Sequence, residues 1–165
     1  MAANRKDVTK AEKLVGQGKL QSALKVYENI LRKEPDDHAL HNAVGDLYVR
    51  SGEPKAAVPH FQKSAEVLEG QGFRTKAIAV LRKAYRQAPS NSEIVKTLAN
   101  LLKQEGLVAD ARQILIELAK NRHQVGQHKE ARKLYKKVLE IDPNRQRMCL
   151  PGSLTASPNG RFTSR

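Results

Sequence analysis

The residues of this chain best placed to do chemistry are cations. Lys129, Arg132, Lys133, Lys136 and Lys137 recur at a spacing that sets them along one side of a helix, with Arg122, Arg145 and Arg147 nearby. Such a stripe can neutralise phosphates or the carboxylates of an acidic partner, or it can solvate an outer helix face, which is the plainer reading. Tyr135 belongs to the apolar side of the same segment, so no aromatic interleaves the stripe for base stacking. His38 and His41 stand about one helical turn apart, a spacing that metal ligands use. Only Asp36 and Asp37 lie close by, and no further His or Cys completes a ligand set. No Ser, Cys or His sits in a nucleophile motif, and no glycine-rich phosphate loop follows a strand. The chain therefore reads as a non-enzyme that works by binding, with no cofactor and no metal.

Charge placement says more than net charge. The chain of 165 residues carries a formal +13, but residues 1–71 hold a net +1 and residues 72–165 a net +12. That imbalance points to an acidic partner or nucleic acid for the C-terminal half, or to solubility. Cys149 is the single cysteine, which excludes an internal disulfide. The first ten residues, Met1 to Lys10, lack an apolar core for a signal peptide, and no run approaches about 18 apolar residues. The expectation is a cytoplasmic chain without membrane insertion.

The elements that must position these residues repeat. Leu40 falls on Ile94, Val44 on Leu98, Gly45 on Ala99, Gly52 on Gly106, Ala57 on Ala111, Phe61 on Leu115, Gly72 on Gly126, Ala77 on Ala131 and Leu81 on Tyr135, always at an offset of 54. Pro35, Pro89 and Pro143 keep the same interval. Between glycines and prolines, apolar residues recur at three- and four-residue spacing, and the fold class is all-α with about eight helices. Asp36 and Asp37 suit the start of the third helix, and Ser90 with Glu93 reads as a capping box opening the sixth. Pro59 lies inside the fourth helix, where it removes a backbone hydrogen bond, so a bend or a late helix start is expected there. Residues 4–143 form the helical repeat domain. Residues 144–165, rich in Ser, Pro and Gly without an acidic residue, are expected to be a disordered basic tail. The eighth helix has no solvating helix after it. That suggests a C-terminal truncation or a shifted reading frame, and offers an uncapped face for homo-oligomerisation.

His41, Val44, Gly45, Tyr48, Ala57 and Phe61 stand at the spacing W-x2-L-G-x2-Y then A-x3-F. In this the chain resembles the tetratricopeptide repeat family, of the bacterial type. The resemblance covers Asn4 to Pro143, with full repeats beginning at Asn4, His38 and Ser92 and extra helices ending at Pro89 and Pro143. It implies a right-handed solenoid of antiparallel helix-turn-helix units. Gly45 and Ala57 would be small because paired helices cross closest there. The pattern departs from the family where His41 and Val95 replace the aromatic and where a period of 54 stands for 34. In the family's frame, Val58 to Gln71 must close one repeat and open the next, so one helix plays both parts.

The resemblance also implies a site. In the family the first helix of each repeat lines a concave groove for a peptide, and one subclass clamps a terminal carboxylate with Lys and Asn. Here that face carries Asn42, Asp46 and Arg50 in one repeat and Lys96, Asn100 and Lys103 in another. Lys96 and Asn100 match two clamp positions, but the complete clamp is absent. The functional expectation is a protein-interaction scaffold holding a peptide or helical segment of a partner protein, with nucleic-acid or polyanion binding through the basic half as the alternative.

Overall fold

Apolar periodicity makes the helices, and two kinds of junction join them. The computed structural model describes residues 2–141, in which the chain forms eight helices and no strand. They are α1 (Ala2–Gly16), α2 (Leu20–Lys33), α3 (His38–Arg50), α4 (Pro54–Gly70), α5 (Arg74–Gln87), α6 (Ser92–Gln104), α7 (Val108–Gln124) and α8 (His128–Ile141). Lengths repeat with the sequence: α3, α4 and α5 have 13, 17 and 14 residues, and so do α6, α7 and α8. The result is an all-α solenoid. The expected tail and the helix stop at Pro143 lie outside the described residues.

The first kind of junction is a glycine turn. At Gly52 the backbone takes φ +83°, and Glu53 N–H donates to the Tyr48 carbonyl at 2.8 Å. Gly106 repeats this one period later with φ +76° and a 2.8 Å bond from Leu107 N–H to the Leu102 carbonyl. This left-handed closure satisfies carbonyls that a helix end leaves open, and a side chain there would be strained.

The second kind is a capped turn after proline. Asp37 Oδ1 accepts from the Ala39 and Leu40 amides at 2.9 and 3.0 Å, which caps α3. Asp36 is turned to other use and pairs with Lys63 of α4 at 3.0 Å. At α6 the cap is Asn91 rather than the expected Ser90. Its Oδ1 accepts from Glu93 and Ile94 at 3.0 and 3.4 Å. Asn91 directly precedes the first helical residue, the place from which a short side chain reaches the second and third amides.

Helix α4 starts at Pro54 and runs through Pro59 to Gly70, which removes the late start as an outcome. The Pro59 ring is exposed, and the carbonyl it leaves without a donor belongs to exposed Lys55, within reach of water.

Helix α4 packs against both α3 and α5, as α7 packs against both α6 and α8. One helix thus serves two antiparallel pairs, as the long period requires. Gly45 shows how closely α3 approaches α4, since a Cβ there would lie 2.5 Å from the Phe61 ring. The core falls into two clusters. Ala11, Leu24, Tyr27, Ile30, Leu40, Val44 and Leu47 form the N-terminal one, and α4 to α8 build the other around Phe61, Leu81, Leu98, Leu101 and Leu115. Tyr48 packs against both.

Candidate functional site

Asn42, Asp46 and Arg50 follow one another at four-residue spacing, so α3 presents them on one side. The structure gives two of them a partner that sequence reading missed. Lys83 of α5 reaches across and donates from Nζ to both Asp46 carboxylate oxygens, at 2.7 and 2.8 Å, and to Asn42 Oδ1 at 3.0 Å. Asn42 Nδ2 also donates to Asp46 Oδ2 at 3.4 Å. The ammonium lies 5.5 Å from the centre of the Phe61 ring. Arg50 stays exposed.

The same tie recurs one period on. Lys137 of α8 donates to Asn100 Oδ1 of α6 at 3.2 Å, and these two positions are the period-equivalents of Lys83 and Asp46. The pairing keeps its place while its chemistry changes, because an amide replaces the carboxylate. Lys96 and Lys103 on the same helix are exposed and form no ion pair among the described residues. The α3 row is therefore largely self-neutralised, whereas the α6 row presents Lys96, Lys103 and Lys137 without a carboxylate. The charge imbalance of the sequence becomes a difference between two faces.

The basic stripe of α8 resolves into two groups. Lys137 belongs to the tie just described, and Arg122 is engaged too, donating to the Ser90 carbonyl at 2.7 Å and to Ser92 Oγ at 2.9 Å. Lys129, Arg132, Lys133 and Lys136 remain exposed with no ion pair among the described residues. Tyr135, expected on the buried side, is 38% exposed and stands among them. Burial of that position needs a neighbouring helix, and α8 is the last described element. Arg145 and Arg147 lie outside the described residues.

The two histidine pairs sit at junctions. His41 Nε2 lies 2.9 Å from the Pro35 carbonyl and can only donate to it, so in the neutral ring Nδ1 accepts from His60 Nδ1–H at 3.2 Å. Both ring nitrogens of His41 are thereby used. His60 stacks on Tyr48, whose hydroxyl donates to Glu28 Oε1 at 2.7 Å. Burial, with His41 adding to it, holds the His60 imidazole below its ordinary value. The bond to Glu28, followed by burial, pushes the Tyr48 phenol up to about 12. His123 and His128 flank the turn at Gly126 with their Nδ1 atoms 3.1 Å apart. No group of three or more metal-ligating side chains occurs among the described residues, and no described helix is long and apolar enough to cross a membrane.

Paired helices, shared helices and polar rows facing outward define an all-α helical-repeat scaffold. Profiles of the tetratricopeptide repeat match residues 8–69, 70–125 and 113–145. The chain belongs to the tetratricopeptide repeat family. The two matches that overlap do so over residues 113–125, within α7 and its C-terminal end, the helix that serves two pairs. Solved structures that are similar include YrrB, described as a TPR protein with an unusual peptide-binding site, at 17% identity over 84% of this chain and 86% of that one, TM-score 0.35. MamA matches at 16% identity over 91% and 98%, TM-score 0.34. A tetratricopeptide repeat protein from Parabacteroides merdae ATCC 43184 matches at 18% identity over 88% and 69%, TM-score 0.38. No curated protein matches the chain.

Proposed function

We propose that this chain is a non-enzymatic protein-interaction scaffold that holds an extended or helical segment of a partner along the α3 and α6 rows. The observation that carries this reading is the repeated tie, Lys83 to Asp46 and Lys137 to Asn100. It fixes long polar side chains in register and leaves Arg50, Lys96 and Lys103 free to meet a ligand. Fixed side chains lose less entropy on binding, which is how a shallow polar surface gains affinity. Free cations select a segment bearing carboxylates. An affinity capture with the full chain, after nuclease treatment, tests the reading. A protein retained by the wild type and lost in a Lys96→Glu/Lys103→Glu variant supports it. Retention that ignores the double substitution overturns it.

A second reading rests on the four unpaired cations of α8 with Tyr135 among them. It makes the protein a binder of nucleic acid or another polyanion. Four phosphate contacts give a slope of log affinity against log salt of about −3.6, and capture would be nuclease-sensitive. A shallow slope with nuclease-resistant capture discards this reading.

A further inference from the structure

Helices α2, α5 and α8 hold equivalent places in the period, and among the described residues no helix covers the third as helices cover the first two. The equivalent stripes are Leu24, Tyr27, Glu28 and Leu31 on α2, then Ile78, Leu81, Arg82 and Tyr85 on α5. On α8 they are Arg132, Tyr135, Lys136 and Leu139. Each set has the spacing of a single helix face.

Helix α3 covers the first stripe, whose Leu24, Tyr27 and Leu31 share a cluster with Leu40, Val44 and Leu47, while the Tyr48 hydroxyl meets Glu28. Helices α6 and α7 cover the second. Ile78 and Leu81 are buried in one cluster with Ile94, Leu98 and Leu115. Arg82 pairs with Asp110, and the Tyr85 hydroxyl donates to Glu117. At the equivalent of Arg82, Lys136 is exposed, and at the equivalent of Leu81, Tyr135 is 38% exposed.

We propose that the Arg132, Tyr135, Lys136 and Leu139 stripe of α8 docks an amphipathic helix of a separate protein whose apolar face is flanked by carboxylates. The α5 junction supplies the template. There Asp110 and Glu117, two turns apart on α7, bracket the apolar contact and meet a cation and a hydroxyl. Arg132 at the place of Ile78 adds a cation while Lys136 keeps the charge of Arg82, so the α8 stripe is more basic than its equivalent and calls for a more acidic ligand.

Charge also selects among occupants. The chain's own residues 144–165 contain no Asp or Glu, so none of their side chains supplies a carboxylate. A second copy stacked head to tail would present α1, which carries exposed Lys6, Lys10 and Lys13 where α3 has Leu40, Val44 and Leu47. Those lysines would face Arg132 and Lys136, and like charges in contact oppose docking.

The test titrates full-length protein into a labelled synthetic helix with leucines at i, i+4 and i+7 flanked by glutamates, and into a twin with lysines for the glutamates. The glutamate helix binds and the lysine helix does not. Arg132→Glu/Lys136→Glu weakens the glutamate helix on the order of tenfold and gains the lysine helix by a similar factor. Tyr135→Ala weakens the glutamate helix, while Lys25→Ala, an exposed substitution on α2, leaves it unchanged, which ties the loss to the α8 stripe. Circular dichroism melts that match wild type show that the exposed substitutions leave the fold intact. Equal binding of the two helices, no binding of either, or no loss in the double variant overturns the proposal. So does a mass that rises with concentration and reverts in the double variant, which assigns the stripe to a second copy. Tighter binding of a short poly(U) RNA than of the glutamate helix at about 0.15 M salt assigns the stripe to nucleic acid and also overturns it.

Discussion

Residues 38–91 and the unit that begins at Ser92 share helix lengths and turn geometry but differ in what fills and crosses them. In the first unit Gly45 makes room for Phe61, whereas in the second Ala99 sits at the place of Gly45 and Leu115 at the place of Phe61. Gly is set with Phe in one unit and Ala with Leu in the other, so the combined size of the two residues changes little. The first unit also places polar groups where the second is apolar. His41, His60 and Ser64 correspond to Val95, Ile114 and Leu118, and the buried Ser64 hydroxyl donates to the His38 carbonyl at 2.8 Å. These polar groups lie where the two core clusters meet, and in the second unit the core is continuous. The frame is set by lengths and turns, and the interior chemistry can vary within it.

Exchanging residues between the units tests that comparison, with Leu118 at the top of the scale. Leu118→Ser, copying the first unit, should cost about 2–5 kcal/mol in urea denaturation, because Leu118 is 1% exposed and the surrounding helices cannot close the gap. Gly45→Ala should cost about 1–3 kcal/mol by overpacking Phe61. Gly45→Ala/Phe61→Leu, which imports the second unit's pair, should be more stable than Gly45→Ala alone; an additive loss would break the comparison.

A smaller effect is expected from pH. His60 is held below its ordinary value in the fold, so the unfolded chain takes up the proton first. Its contribution is fully present above about 6.5 and is lost as pH falls toward the folded value. His41→Val/His60→Ile, as in the second unit, should flatten thermal stability across that window. The smallest effect concerns the ties. Lys83→Ala should cost about 0.2–1 kcal/mol at low salt and less at high salt, since both partners are more than a third exposed. Lys137→Ala, which loses only an amide partner, should show no such salt dependence.

The features legible in the sequence were those that spacing alone determines. The period, the helices and the turns at Gly52 and Gly106 follow from residue type and interval, and the close approach at Gly45 from the family pattern those intervals resemble. What was not legible depends on a neighbour. The pairing of Lys83 with Asp46 needs the register between α3 and α5, although the recurrence of the same interval from Asn100 to Lys137 is a signal that could have found it. Tyr135 fits an apolar face by periodicity, yet its burial requires a helix beyond α8. Ser90 fits the capping box by composition, but Asn91 stands at the cap position and takes the amides.

Because α4 and α7 each belong to two pairs, the step by which this array grows is three helices. A standard repeat array can lose a terminal hairpin and leave its neighbours intact. Here, opening α4 strips α3 and α5 of their partner in one event, which ties the three helices into a single folding unit. Amide hydrogens in the middle of α4 and α7 should therefore exchange only through the larger openings, and those of α1, which rests chiefly on α2, through the smallest.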